Sequence, residues 1–143
     1  MKPRQILLLY QLLLGASDTS TGLLLLAAPA LTLHLMHLRP ADPATLPFLS
    51  YIGAFVLSTG MACFYGAFLA SRPLYATKLE VVWLLTAITR ATVAIFVLTQ
   101  IFTGSLESGW LTVALSDGAI ALIQFIGLAQ GWFTRGWLSD VLP

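Results

Sequence analysis

The chain has 143 residues, 58% of them apolar and 9% charged, with a formal net charge of +1 at pH 7. A soluble domain of this size carries about 25% charged residues, so this composition, with a mean hydropathy of +0.88, cannot supply a water-facing coat. It implies a one-domain membrane protein, and the absence of a basic run excludes nucleic acid as a partner.

The opening MKPRQILLLYQLLLGA has the layout of a signal peptide, basic then apolar, with Ala16 at the cleavage position. The apolar run continues well past Ala16, so the segment is read as the first of four membrane spans, residues 6–28. A span needs about 20 mostly apolar residues, and the others that qualify are 47–70, 79–102 and 110–133. Beyond the first span come Pro29 and an apolar extension to Leu38. At about 1.5 Å per residue the stretch from Ile6 to Leu38 would reach roughly 50 Å, against a hydrocarbon core of about 30 Å. A kink at Pro29 is therefore expected, with LTLHLMHL continuing as an interfacial or protruding turn; a tilted straight helix is the alternative. The connections RPADPATLP, SRPLYATK and TGSLESG carry loop chemistry. The tail GWFTRGWLSDVLP reads as an interfacial anchor. The fold class expected is all-α: a single-domain, integral membrane, antiparallel four-helix bundle over residues 1–143.

Lysine and arginine placement sets the orientation. Lys2, Arg4, Arg72, Lys78 and Arg135 fall on the side of both termini, and Arg39 falls opposite with Asp42 and Glu107. Both termini are expected to be cytoplasmic. Tyr51 and Trp110 mark the outer interface, and Tyr75, Trp132 and Trp137 the inner one.

Three charged residues lie at depth in different spans: Asp18, Arg90 and Asp117. A charge at a helix centre costs about 2.5–3.5 kcal/mol on insertion scales, so three unpaired would cost about 8–10. That cost predicts that they face one another. Helical spacing agrees. Gln11, Gly15, Asp18, Gly22 and Pro29 share a face of the first helix, and Trp83, Thr86, Arg90 and Ala94 share one on the third. Asp117, Ala121, Gln124 and Gly131 do so on the fourth, and Gly53, Gly60 and Ala67 on the second, where small residues let helices approach closely. Asp18, Arg90 and Asp117, with Gln124 and Thr21 beside them, are thus the candidate polar cluster. It reads either as an ion-pair network fixing helix register or as a ligand or proton site. Fully ionised, one arginine and two aspartates carry a net charge of −1, which a low-dielectric interior disfavours.

GASDTSTG at 15–22 and GAFVLSTG at 53–60 share five of eight positions, a local echo consistent with either duplication or chance. His34 and His37 are three residues apart with no carboxylate or cysteine at ligand spacing, so interfacial polar residues are expected rather than a metal site. Cys63 reads as packing, and a single cysteine excludes an intrachain disulfide. No nucleophile–base constellation or phosphate-binding glycine loop is present, and the residues do not identify a cofactor.

LLGASDTSTGLLLLAAP, YIGAFVLSTG, ITRATVAIFVL and LSDGAIALIQFIGL, taken in order, resemble the small four-helix bacterial membrane proteins of the DoxX-like kind from about Leu12 to Leu128. The resemblance implies a bacterial inner-membrane protein that accompanies redox enzymes as a small subunit. The functional expectation is a non-catalytic accessory or assembly subunit, with the bilayer and other membrane subunits, or a second copy of itself, as partners. The alternative is a module that binds a quinone, a lipid or a proton at the Asp–Arg–Asp cluster.

Overall fold

In the computed structural model, residues 3–39 and 42–133 are described. They form five α-helices and, among them, no strand: α1 (Pro3–Ala27), α2 (Pro29–Leu35), α3 (Leu46–Ala70), α4 (Ala76–Phe102) and α5 (Leu111–Ala129). Three helical stretches are long and apolar enough to cross a membrane: Pro43–Ala70, Ala76–Phe102 and Ser108–Ala129. Four such segments are expected from the sequence, and these three are the ones that meet both criteria among the described residues. At 25 residues α1 has the length, but the hydroxyl- and carboxylate-bearing run from Ser17 to Thr21 makes it less apolar than the other three.

Local chemistry sets the boundaries. Proline cannot donate a backbone hydrogen bond and pushes the residue before it out of the helical region. Ala28 accordingly sits at φ −147°, ψ 61°, and α2 restarts with Pro29 in its first turn. The Thr32 hydroxyl bonds the Ala28 carbonyl across the break at 3.0 Å. α2 closes in a Schellman arrangement, the Leu38 amide donating to the Leu33 carbonyl at 2.9 Å. That closure places His37 at φ 56°, a left-handed conformation that suits glycine better. Ahead of α3, Asp42 Oδ1 accepts from the Ala44 amide at 2.9 Å and starts a 3-10 turn over Pro43–Thr45. At the far end of α3, Arg4 Nε donates to the Ala70 carbonyl at 2.9 Å, and its Nη2 donates to that of Ser71. A cation there satisfies carbonyls that the helix leaves open. α5 stops at Ala129 and turns through Gly131 at φ 63°. The expected run to Phe133 is thus broken, and Gly131 lies off the helix face assigned to it.

The helices pack as two close pairs, α1 on α3 and α4 on α5, with α3 and α4 meeting more lightly. Glycines bring the first pair together. A Cβ on Gly22 would fall on the Leu57 backbone, and one on Gly60 would come within 2.6 Å of the Thr19 amide nitrogen. These contacts are symmetric: the position of Leu57 within 53–60 is that of Thr19 within 15–22. The two echoing octapeptides therefore lie antiparallel against each other, and close approach of two helices by itself demands glycines at the same spacing.

The distribution of polarity is inverted relative to a water-soluble domain. Large apolar side chains such as Leu13, Phe48, Leu85, Ile95, Leu115 and Leu122 are exposed, while Gln11, Thr86, Arg90 and Gln124 are buried. Hydroxyls on the helices bond their own backbone: Thr59 to the Phe55 carbonyl, Thr89 to that of Leu85, Thr92 to that of Ile88. Ser20, inside the polar run of α1, bonds the Ala16 carbonyl in the same way. This pattern spares an outward hydroxyl any need for water. Leu7, Leu69, Ala70, Leu79, Trp83 and Phe133 form an apolar core at the end where α1 begins.

Candidate functional site

The structure brings three of the candidate residues together. Arg90, near the middle of α4, has a side chain only 5% exposed and forks between two helices. Its Nη2 donates to Asp18 of α1, and its Nη1 donates to Asp117 of α5 at 2.5 Å. The fork geometry of guanidinium suits this, because each terminal nitrogen can face a different carboxylate. The carboxylates are 15% and 17% exposed in their side chains, so the three charges sit largely inside the bundle. The guanidinium therefore ties one helix pair to the other.

Gln124 and Thr21 lie apart from this triad. Gln124, two turns from Asp117, is fully buried and donates through Nε2 to the Thr86 hydroxyl at 2.9 Å. Thr86 in turn bonds the Val82 carbonyl at 2.9 Å. Thr21 is exposed: three residues beyond Asp18 it turns to the flank, because the buried face of α1 runs through Gly15 and Gly22 towards α3. It belongs to no cluster, and the expectation is corrected there.

Other features sort as follows. Cys63 is buried beside the Arg90 guanidinium, a polar neighbour that its surrounding run of small residues does not announce. His34 and His37 are both exposed at the end of α2, and among the described residues no group of three His, Cys, Asp or Glu is placed to hold a metal ion. Arg39 and Glu107 approach to 3.6 Å across the loops at that end. They stand over an open depression of about 440 Å³ whose lining includes Leu33, Leu38, Phe48 and Trp110, and no residue of the triad touches it. At the opposite end Arg72 lies over the Phe68 ring and Lys78 over the Tyr75 ring, at 5.3 and 5.0 Å. Of the residues used to read orientation, Lys2, Arg135 and Trp137 lie outside the described residues, as does most of the tail read as an anchor.

Residues missed by sequence reasoning lie below the triad. Tyr10 and Trp83 have ring centroids 5.2 Å apart, and the Gln11 amide rests directly on Gly66 of α3. Trp83 also meets Phe133 edge-on at 4.9 Å and lies where a Cβ on Gly127 would be, at 2.9 Å. Helical spacing puts Gln11 and Trp83 on inward faces, but nothing in their residue types marks them as partners. Chemically the triad can hold helices in register and can hold charge, and among the described residues beside it no nucleophile–base pair is formed. Comparison with protein-family models, characterised proteins and solved structures gives no match to this chain.

Proposed function

We propose that this chain is a small, non-catalytic integral membrane protein, an antiparallel bundle in which α1, α3, α4 and α5 cross the bilayer and both termini are cytoplasmic. Its role is that of an accessory or assembly subunit in a larger membrane complex. One observation carries the reading: all three mid-helix charges are spent inward on one another, leaving an outer surface of leucine, isoleucine and phenylalanine on every long helix. Such a surface is suited to lipid and to neighbouring apolar helices. α1, the least apolar of the four, lies against α3 along its glycine face, and Ser20 of its polar run bonds the Ala16 carbonyl, which lowers the cost of facing lipid. The DoxX-like resemblance points to a bacterial inner membrane and to redox complexes as the setting.

The test is extraction of the full-length tagged chain from its native membranes in a mild detergent, followed by native electrophoresis and mass spectrometry. The expected result is a stoichiometric complex with other membrane chains. A monodisperse, solitary chain that turns over a substrate or carries a stoichiometric cofactor would overturn the assignment.

A further inference from the structure

The polar interior has two tiers. On α1, Gln11 and Asp18 are seven residues apart; on α4, so are Trp83 and Arg90; on α5, so are Asp117 and Gln124. Seven residues are two helical turns, about 10 Å. Contacts place Asp18, Arg90 and Asp117 at one level. Two turns from each along its helix the spacing puts Gln11, Trp83 and Gln124, with Tyr10, at a second, where Tyr10 meets Trp83 and Gln124 bonds Thr86 one turn from Trp83.

The tiers differ in how their hydrogen bonds are met. The charged tier satisfies itself apart from Arg90 Nε. In the neutral tier, Tyr10 Oη, both amide atoms of Gln11, Trp83 Nε1 and Gln124 Oε1 are buried with no protein partner among the described residues. Gln11, Trp83 and Gln124 are each at least 99% buried. Buried polar groups are almost always bonded, to protein or to ordered water, and several orphans in one place point to a shared guest. The tier carries no charge, so an ion is a poor fit. It offers donors (Trp83 Nε1, Gln11 Nε2, Arg90 Nε) and acceptors (Gln11 Oε1, Gln124 Oε1) in mixed order, with Tyr10 Oη able to do either. A small neutral molecule that both gives and takes hydrogen bonds answers that set. Below, Leu7, Leu79 and Phe133 close the tier with apolar side chains.

We propose that the neutral tier is an internal-water site: water held among Tyr10, Gln11, Trp83 and Gln124, reaching up to Arg90 Nε and hydrating the charged tier from beneath. Polar interiors hold water where apolar ones stay dry. The inference concerns the isolated chain and stands whether or not it joins an assembly.

The test is X-ray radiolysis of the full-length protein in phosphatidylcholine nanodiscs in ¹⁸O-labelled water, read by mass spectrometry. Hydroxyl radicals arise from the water itself, so a buried side chain is oxidised only where water sits beside it. Trp83 and Cys63 are expected to take up ¹⁸O within tenfold of the rate at the exposed His37, while the outward-facing Phe96 is protected. Labelling of Trp83 more than tenfold slower than His37 would overturn the site. In the Gln11→Leu/Gln124→Leu variant, labelling of Trp83 is expected to fall at least tenfold and Tm to drop. A rise in Tm with labelling unchanged would mean that the glutamines were dry, and would overturn it too.

Discussion

Replacing Arg90 with leucine removes one side chain and strands two. Were the triad an exposed ion pair, the loss would be about 0–1 kcal/mol. Were Arg90 merely a donor of two hydrogen bonds, the average of about 0.6 kcal/mol found inside membrane proteins would give about 1–2. The observed burial argues for a larger figure: the guanidinium is 5% exposed and the carboxylates 15% and 17%, so removal leaves uncompensated charge shielded from bulk solvent. Breaking a buried pair in that way costs about 3–5 kcal/mol. Arg90→Leu is therefore expected to lower stability by about 3–5 kcal/mol. Adding Asp117→Leu restores part, since Asp18 is still stranded. The triple variant Asp18→Leu/Arg90→Leu/Asp117→Leu restores most of it, because a buried ion triad exchanged for apolar residues is often neutral. Unfolding by denaturant in mixed micelles, followed through tryptophan fluorescence, measures all three. Equal losses in the single, double and triple variants, or a single loss under 1 kcal/mol, would refute the argument.

Gly22→Ala and Gly60→Ala each drive a methyl group into the opposite backbone and are expected to cost about 1–3 kcal/mol. Gly118→Ala, whose nearest new neighbour is Ala94 Cβ at 3.7 Å, should be neutral or stabilising in the same melts. His37→Gly removes a side chain from a φ of 56° and should raise stability by on the order of 1 kcal/mol; a loss would mean that the imidazole makes a contact worth more than the strain. For topology, Ser105→Cys in whole cells is expected to react with an impermeant maleimide, and Thr77→Cys only after permeabilisation. The opposite pattern would reverse the orientation.

Helical character was legible because composition leaves little else: an apolar chain with short turn-forming connections has few other ways to bond its backbone. The charged tier was legible because Asp18, Arg90 and Asp117 each carry a cost that stands out against leucine. Burial, not type, made Gln11, Trp83 and Gln124 matter, and periodicity alone reported only a shared face. Thr21 was grouped with Asp18 because a step of three places residues near each other, whereas the α1–α3 contact rotates the buried stripe towards Gly22. The break at Ala28 follows from proline chemistry, but the stop at Ala129 depends on Gly131 adopting a left-handed φ, which a glycine permits without requiring. The echo of two octapeptides reads more readily as the recurrence of small residues in membrane helices than as ancestry, and their antiparallel contact supplies a packing reason.

The distance along the chain between the partners of the triad has a consequence for synthesis. Arg90 follows Asp18 by 72 residues, and Asp117 follows Arg90 by another 27. At about 5–20 residues per second, Asp18 is made roughly 4–14 s before its counter-charge exists. α3 emerges within that interval and can dock on α1 through the glycine contacts, so the nascent form is a two-helix hairpin bearing a naked carboxylate. Arrival of α4 pairs it with Arg90, and α5 then brings Asp117 to the same guanidinium. Asp117 thus completes the triad last, and the half-made protein differs from the finished one in carrying an intramembrane carboxylate with no guanidinium to pair it.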